Sequence, residues 1–390
     1  MSDKKRRNPI PGWRQVKFGD VVQVSKARSQ DPLADGIERY VGLEHLEPGE
    51  LRIRSWGSVS DGVTFTSVFQ SGQVLFGKRR AYQRKVAVAD FSGVCSGDIY
   101  VLETKDPMVL HPDLLPFICQ TDAFFDHAVG TSAGSLSPRT NWTSLADFEF
   151  SLPTLGEQSR LVGVLQAIEK ISETYQEVTA NADRLMRSLL SDALSHKWPV
   201  VELGSAVKKT QYGLSINAES EGQYPMLRMM NIEEGLCVEN DLKYVNLDHK
   251  EFNAYRLVHG DVLFNRTNSY ELVGRTGVYE LDGDHVFASY LVRIKTDPEK
   301  LEPKFLTLYL NSESGRRQVL AYATKAVSQA NVNASNLLRI RLPLPSLDVQ
   351  KDLLDKVANA KAAKAAAALR RLSAEGMKKN LLETFWRAPE

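Results

Sequence analysis

The 390-residue chain carries 49 Lys and Arg against 48 Asp and Glu, a formal charge of +1, with 43% hydrophobic and 25% charged residues. That is ordinary for a soluble globular chain with room for two or three domains, and it excludes a protein that coats nucleic acid through net charge alone. No apolar run of about 18 residues is present, so no transmembrane helix is expected. The start, Met1 to Arg7, lacks the apolar stretch of a signal peptide. Cys95, Cys119 and Cys237 are odd in number and show no metal spacing, which fits reduced, partly buried thiols in a cytoplasmic protein.

In chain order, residues 1–12 read as a flexible basic arm with Pro9 and Pro11. Residues 13–155 read as a strand-rich module. Its expected strands are Val21–Val24, Arg39–Leu43, Val74–Phe76, Lys85–Ala89, Asp98–Leu102 and Phe148–Leu152, punctuated by Gly and Asp. One helix is expected over Leu114–His127. Residues 156–196 change character. Leu161, Ile168, Tyr175, Ala182 and Leu189 recur every seventh residue, and Val164, Ile171, Val178 and Leu185 stand three after the first four. Such an a/d seam predicts a coiled-coil helix, and about 40 helical residues span roughly 60 Å. His196-Lys-Trp-Pro199 stops it. Residues 197–345 repeat the strand-rich pattern, with a helix expected over about 303–323, Pro303 opening its first turn. Residues 346–390 form a second long helix with Leu353, Ala360, Ala367, Ala374 and Leu381 in the seam. Lys356 and Arg370 weaken its second row, and Gly376 is a weak point for continuity.

The chain is thus written twice. Trp13-Arg-Gln-Val-Lys-Phe-Gly19 matches Trp198-Pro-Val-Val-Glu-Leu-Gly204, Gly72–Phe76 matches Gly260–Phe264, and Leu152-Pro-Thr-Leu-Gly-Glu-Gln158 matches Leu344-Pro-Ser-Leu-Asp-Val-Gln350. The period is far longer than that of solenoid repeats, so a whole domain is duplicated. The expected class is α+β: two strand-rich modules in tandem, separated and joined by two long helices that pair as an antiparallel coiled coil. Trp13, Trp198 and Trp386, at matching positions, read as core packing.

Module, long helix, module, long helix, each helix introduced by Leu-Pro-x-Leu-x-x-Gln, resembles the specificity subunit of type I restriction–modification systems over nearly the whole chain. Tyr224-Pro-Met-Leu-Arg-Met-Met-Asn-Ile232, Gly260-Asp-Val-Leu-Phe-Asn-Arg266 and Ser328-Gln-Ala-Asn-Val-Asn333 resemble that family's early strand, central strand with its loop, and the loop before the Leu-Pro phrase. The first copy departs at the last site, with Ser135-Leu-Ser-Pro-Arg-Thr-Asn141. The resemblance implies two target recognition domains that read duplex DNA. It also implies two methyltransferase subunits carrying AdoMet, and restriction subunits using ATP and Mg²⁺; no cofactor is expected on this chain.

No catalytic constellation stands out. The chain lacks an Asn/Asp-Pro-Pro-aromatic phrase, a glycine-rich nucleotide fingerprint and a phosphate-binding Gly-x-x-x-x-Gly-Lys-Ser/Thr loop. A non-catalytic reader of DNA is the expectation; a protein-interaction scaffold and a self-contained methyltransferase or nuclease are the alternatives. Candidate contacts fall in three places. After the central strand of the first copy stand Lys78, Arg79, Arg80, Tyr82, Arg84 and Lys85, answered in the second by Arg266, Asn268, Tyr270 and Arg275. Arginine can meet guanine with two bonds, asparagine can meet adenine, and lysine neutralises phosphate. A solvated hairpin tip is the plainer explanation. Ser135, Ser137 and Arg139, paired with Lys325, Gln329 and Asn331, offer small polar groups for phosphate and base edges. Glu44, His45, Arg228 and Asn231 mark the early strand, where a structural role serves equally well. Leu161, Ile168, Tyr175, Leu185, Leu189, Leu353, Ala360, Ala367 and Leu381 are assigned to helix pairing or a partner interface.

Overall fold

The computed structural model describes residues 12–195, 198–325 and 329–386. The expected arm lies outside these residues except for Gly12. The chain divides into two compact units, residues 1–178 with 366–390, and residues 179–365. The long helices Leu155–Ser195 and Leu347–Trp386 therefore each contribute one half to either unit.

In the first unit an antiparallel sheet runs in the order Val22–Val24, Ile99–Thr104, Val74–Gly77, Val86–Val88. A second sheet holds Gly57–Ser58, Arg39–Val41, Gly93–Cys95 and Ser67–Phe69, with Arg39–Val41 parallel to Gly93–Cys95. The central strand reads as a continuous apolar run because both faces are covered. Val74 and Phe76 join the core with Phe18 and Phe124, while Leu75 packs with Val41, Phe69 and Cys95. The second unit repeats this logic. Val262 and Phe264 face a core with Phe305 and Leu337, and Leu263 faces Leu227 and Phe287. Its main sheet carries Val207–Tyr212, Leu291–Thr296, Val262–Asn265 and Thr276–Val278 in that order, continued by Leu236–Cys237 and Ile232–Glu233. All three cysteines are buried, and burial pushes the Cys95 and Cys237 thiols up to about 12.

Each helix expected before the Leu-Pro phrase is in fact two. Leu115–Ile118 is followed by Asp122–Gly130, and Pro303–Asn311 by Glu313–Ala321. The cause is the same in both units. Thr121 and Ser312 adopt extended backbone, and their hydroxyls cap the next helix by accepting the N–H of Phe124 at 3.2 Å and of Gly315 at 3.1 Å. Gly315 is also required by space, since a Cβ there would stand 2.1 Å from the Tyr309 carbonyl oxygen.

The long helices follow the heptad, but the second row of the seam lies one position later than expected. Beside Leu161 and Ala182, the inward residues are Leu165 and Met186, four residues on; Val164, Ile171, Val178 and Leu185 face outward and are exposed. Leu185 therefore does not serve helix pairing. The second helix shows the same shift. Leu353, Ala360, Ala367 and Ala374 are buried, and the companion row is Val357, Lys364, Arg371 and Lys378 rather than the row of Lys356 and Arg370. The helix runs unbroken through Gly376. Lysines in a seam need partners. Lys378 meets Glu169 in the first unit, and Lys364 meets Asp183 at 2.7 Å in the second. Within the first unit Arg370 also lies over the Tyr175 ring, so moving forward on one helix moves backward on the other: the pairing is antiparallel. The tryptophans pack as expected. Trp13 stacks on Phe385, the buried Trp386 donates to the Ser151 carbonyl, and Trp198 donates to that of Ala193.

Candidate nucleic-acid interface

Two of the three candidate segments, far apart in sequence, meet in space, and they do so identically in both units. In the first, Thr140 N–H donates to the Lys78 carbonyl at 3.0 Å; in the second, Val332 N–H donates to the Arg266 carbonyl at 2.9 Å. Arg79 bridges Arg139, which bridges Ala133; Thr267 pairs with Asn331, which pairs with Thr324. The loop after the central strand and the loop before the Leu-Pro phrase thus form one small three-stranded frame, built once per unit.

The side chains on this frame differ sharply. In the first unit the Asp98 carboxylate accepts from Arg79 at 3.2 Å and from Arg139 at 2.7 Å. The Ser137 hydroxyl accepts from Arg79 at 3.0 Å and from Arg80 at 3.2 Å. The Arg139 hydrogen bond, with Arg79 beside it, holds the Asp98 carboxyl below the usual carboxylate range. Lys78 lies 4.5 Å from the Tyr100 ring centroid, and burial lowers its pKa, with Arg139 and Arg28 acting in the same direction. Four cations around one carboxylate leave a clear positive excess, the local patch that a chain of balanced net charge needs if it is to hold phosphate. Arg80 has φ 53°, a left-handed backbone that costs a non-glycine residue of order 1–3 kcal/mol and concentrates at functional sites. The Nε atoms of Arg79 and Arg80 are buried with no hydrogen-bond partner.

In the second unit Arg266 takes the place of Lys78. It lies over the Tyr212 ring at 4.9 Å and donates to Asn331 Oδ1 at 3.3 Å. The Asn331 amide donates to Thr267 at 2.6 Å, and Asn268 accepts from Ser269 N–H at 2.8 Å. Tyr290 contributes the carbonyl that Asp98 contributes in the first unit, and its ring is exposed, as are those of Tyr212 and Tyr270. This surface is amide and aromatic where the other is guanidinium and carboxylate. Arg275 and Gln329 are exposed. Lys325 lies in the strand Thr324–Lys325.

Other candidates are placed elsewhere. Arg84 pairs with Asp122 and lies over Phe125, and Lys85 donates to the Leu43 carbonyl at 2.7 Å. Both, with exposed Tyr82, line a cleft of about 1190 Å³ that also holds Glu50, Asp126, Glu169, Glu173, Glu375 and Glu383. Asp122, Arg371, Lys378 and Lys379 line it too, so seven carboxylates face five cations and the cleft, unlike the frame, offers phosphate no cationic excess. At the early strand His45 Nδ1 accepts the Gly42 N–H, and Asn231 Oδ1 accepts the Arg228 N–H, both at 2.9 Å. These are matching turn caps. The Arg228 guanidinium is held by Asp241 at 3.0 Å. Sequence reading missed Asp98 as the clamp of the first frame. It also missed Arg316, whose guanidinium donates to the carbonyls of Tyr270, Glu271 and Val273 and so fixes the second loop. An aspartate shared among arginines leaves no sequence signal, because its partners lie about 20 and 40 residues away.

A family model described as "Type I restriction modification DNA specificity domain" matches residues 196–363. The StySPI type I restriction enzyme specificity subunit of Salmonella potsdam is 21% identical over 299 residues, covering 72% of this chain and 63% of that protein. The EcoDI specificity subunit of Escherichia coli is 29% identical over 195 residues, covering 46% of this chain and 41% of that one. The chain thus spans less than two thirds of the length of the curated relatives it matches. Among solved structures, the S subunit of a type I restriction–modification system from M. genitalium superposes with a TM-score of 0.61 over the whole of both chains at 12% identity, a likeness of fold.

Proposed function

We propose that this chain, matched over residues 196–363 by the type I restriction–modification DNA specificity model, is a non-catalytic subunit of that family reading an asymmetric, bipartite DNA target. Residues 13–155 and 197–345 act as target recognition domains, and residues 156–196 and 346–390 as the helical spacer that sets the gap between half-sites. The observation that carries this reading is the paired three-stranded frame. One backbone construction, repeated with the same cross-loop hydrogen bond, displays Lys78, Arg79, Arg80 and Arg139 in one unit and Arg266, Thr267, Asn268 and Asn331 in the other. Guanidinium groups favour guanine and phosphate, and carboxamides favour adenine. Two unlike readers on one chain require an asymmetric site, whereas a symmetric homodimer requires a palindrome.

The outward stripe Val164, Ile171 and Val178 of the first unit is a surface on which a methyltransferase subunit would pack. Methyltransferase subunits would bring AdoMet to an adenine in each half-site, and restriction subunits would bring ATP and Mg²⁺. Methylation takes the target base out of the stack, so the chain holds DNA that its partner opens. A cytoplasmic location follows from that role.

Long-read mapping of methylated adenines, in cells carrying this chain and its methyltransferase, tests the reading. One bipartite motif with a constant gap is expected, and lengthening both long helices by a heptad changes the gap. Methylation without any motif, or a gap unmoved by the insertions, overturns it. Methyl transfer from AdoMet by the isolated chain would make it an enzyme. A salt-dependent affinity for duplex DNA, lost when Lys78, Arg79 and Arg80 become Ala, argues against a protein scaffold, and binding that survives those changes removes this loop from the interface.

A further inference from the structure

Leu136 is 89% exposed, the highest value among the exposed large hydrophobic residues described. It sits at the tip of a tight hairpin in the first unit. The stem is closed by two backbone bonds, Ala133 N–H to the Arg139 carbonyl at 3.0 Å and Arg139 N–H to the Ala133 carbonyl at 2.9 Å. Gly134, at φ 111°, makes the turn that only glycine adopts without strain. On the far side of the tip, Arg79 and Arg80 both hold the Ser137 hydroxyl, and Arg80 N–H donates to the Pro138 carbonyl at 2.7 Å. The tip is therefore braced on both sides while its leucine meets solvent.

A lone exposed leucine is common on an ordinary surface. This one stands on the cationic frame of Lys78, Arg79, Arg80 and Arg139, and is held toward solvent by groups whose hydrogen bonds brace its loop. An occupant must offer anions around an apolar surface. Duplex DNA offers both, phosphates at the groove edge and the faces of stacked bases within. Proteins that bend DNA insert such apolar side chains between base steps and kink the duplex.

We propose that Leu136 is a wedge that enters the base stack at the half-site read by the first unit, with the arginine-held loop as its mount. This rests on the DNA-reading function proposed above and adds a residue that acts through shape rather than through hydrogen bonds. The wedge bends the DNA and weakens stacking at that step, which lowers the cost of taking a neighbouring base out of the helix.

The test uses the full chain with its methyltransferase subunits. Fragments of unmethylated host genomic DNA are captured by the wild-type complex, and a captured duplex serves as the probe. Its bend is measured by circular-permutation gel shift for the wild type, Leu136→Ala, Leu136→Asn and Leu136→Met. The wild type should bend the probe. Alanine and asparagine should lower the bend by about 20° or more, and methionine should keep it. An unbent wild-type complex, or an alanine or asparagine complex bent like the wild type, overturns the wedge. Failure of the wild type to capture any sequence selectively instead removes the DNA reading, and the wedge with it. Thermal melting of the free variants, unchanged for so exposed a residue, confirms that a lost bend is not a lost fold.

Discussion

Gln350 repeats, atom for atom, the hydrogen bonds made by Gln158. Gln158 accepts the His111 N–H at 2.8 Å and donates to the carbonyls of Val109 and Pro153 at 3.0 Å. Gln350 accepts the Glu302 N–H at 2.9 Å and donates to those of Lys300 and Pro345 at 2.8 and 2.9 Å. Both carboxamides are buried. Each ties the first turn of a long helix to the loop entering the capped helix pair, which gives the repeated Leu-Pro-x-Leu-x-x-Gln phrase a mechanical meaning. Replacing either by Ala leaves one backbone N–H and two carbonyls short of partners in a dry site. Each substitution should cost about 1–3 kcal/mol, read as a lowered midpoint in urea denaturation.

The seam pair Lys378 and Glu169 is mostly shielded, with side-chain exposures of 14% and 21%. Removing one partner strands the other. Lys378→Met or Glu169→Leu alone should destabilise by roughly 3 kcal/mol, while the double variant should recover most of the loss. A double-mutant cycle on denaturation midpoints measures the coupling.

Arg79→Ala with Arg80→Ala should weaken binding of any duplex and reduce the slope of log affinity against log salt by about 1 for each phosphate that is no longer neutralised. Arg84→Ala, whose guanidinium pairs with Asp122 in the acid-lined cleft and not on the frame, should leave that slope unchanged. Fluorescence anisotropy over a salt series separates the two.

Asn268→Ala should relax discrimination at a single base pair of one half-site by about 1–3 kcal/mol and leave the other half-site untouched. Methylome mapping of the variant reads this directly, as one degenerate position in an otherwise unchanged motif.

Asp98 gives the first frame a dependence on acid. Its carboxyl is held below its ordinary value by Arg139, so its contribution is full above about pH 4, the unfolded range, and is lost as pH falls through the lower folded value. Stability measured between pH 5 and pH 2 should fall less steeply for Asp98→Asn than for the wild type.

The sequence by itself determined the duplication, the α+β class and the two long helices. These rest on local signals: apolar runs that both faces of a strand must bury, and a seven-residue period held for several turns. It singled out the loops around Arg79 and Asn268 as candidates because basic and amide residues clustered beside a matching strand in each copy. It misplaced the second row of the helical seam. Val164 and Leu165 are both apolar, and which one faces inward is settled by the helix packed against them. Tertiary structure alone decided that Lys78 would meet Thr140 and Arg266 meet Val332, that Arg84 would turn toward Asp122, and that Leu136 would stand exposed. Pairings between segments about 60 residues apart are chosen by the closing of the whole sheet and its core, and no local pattern carries that information.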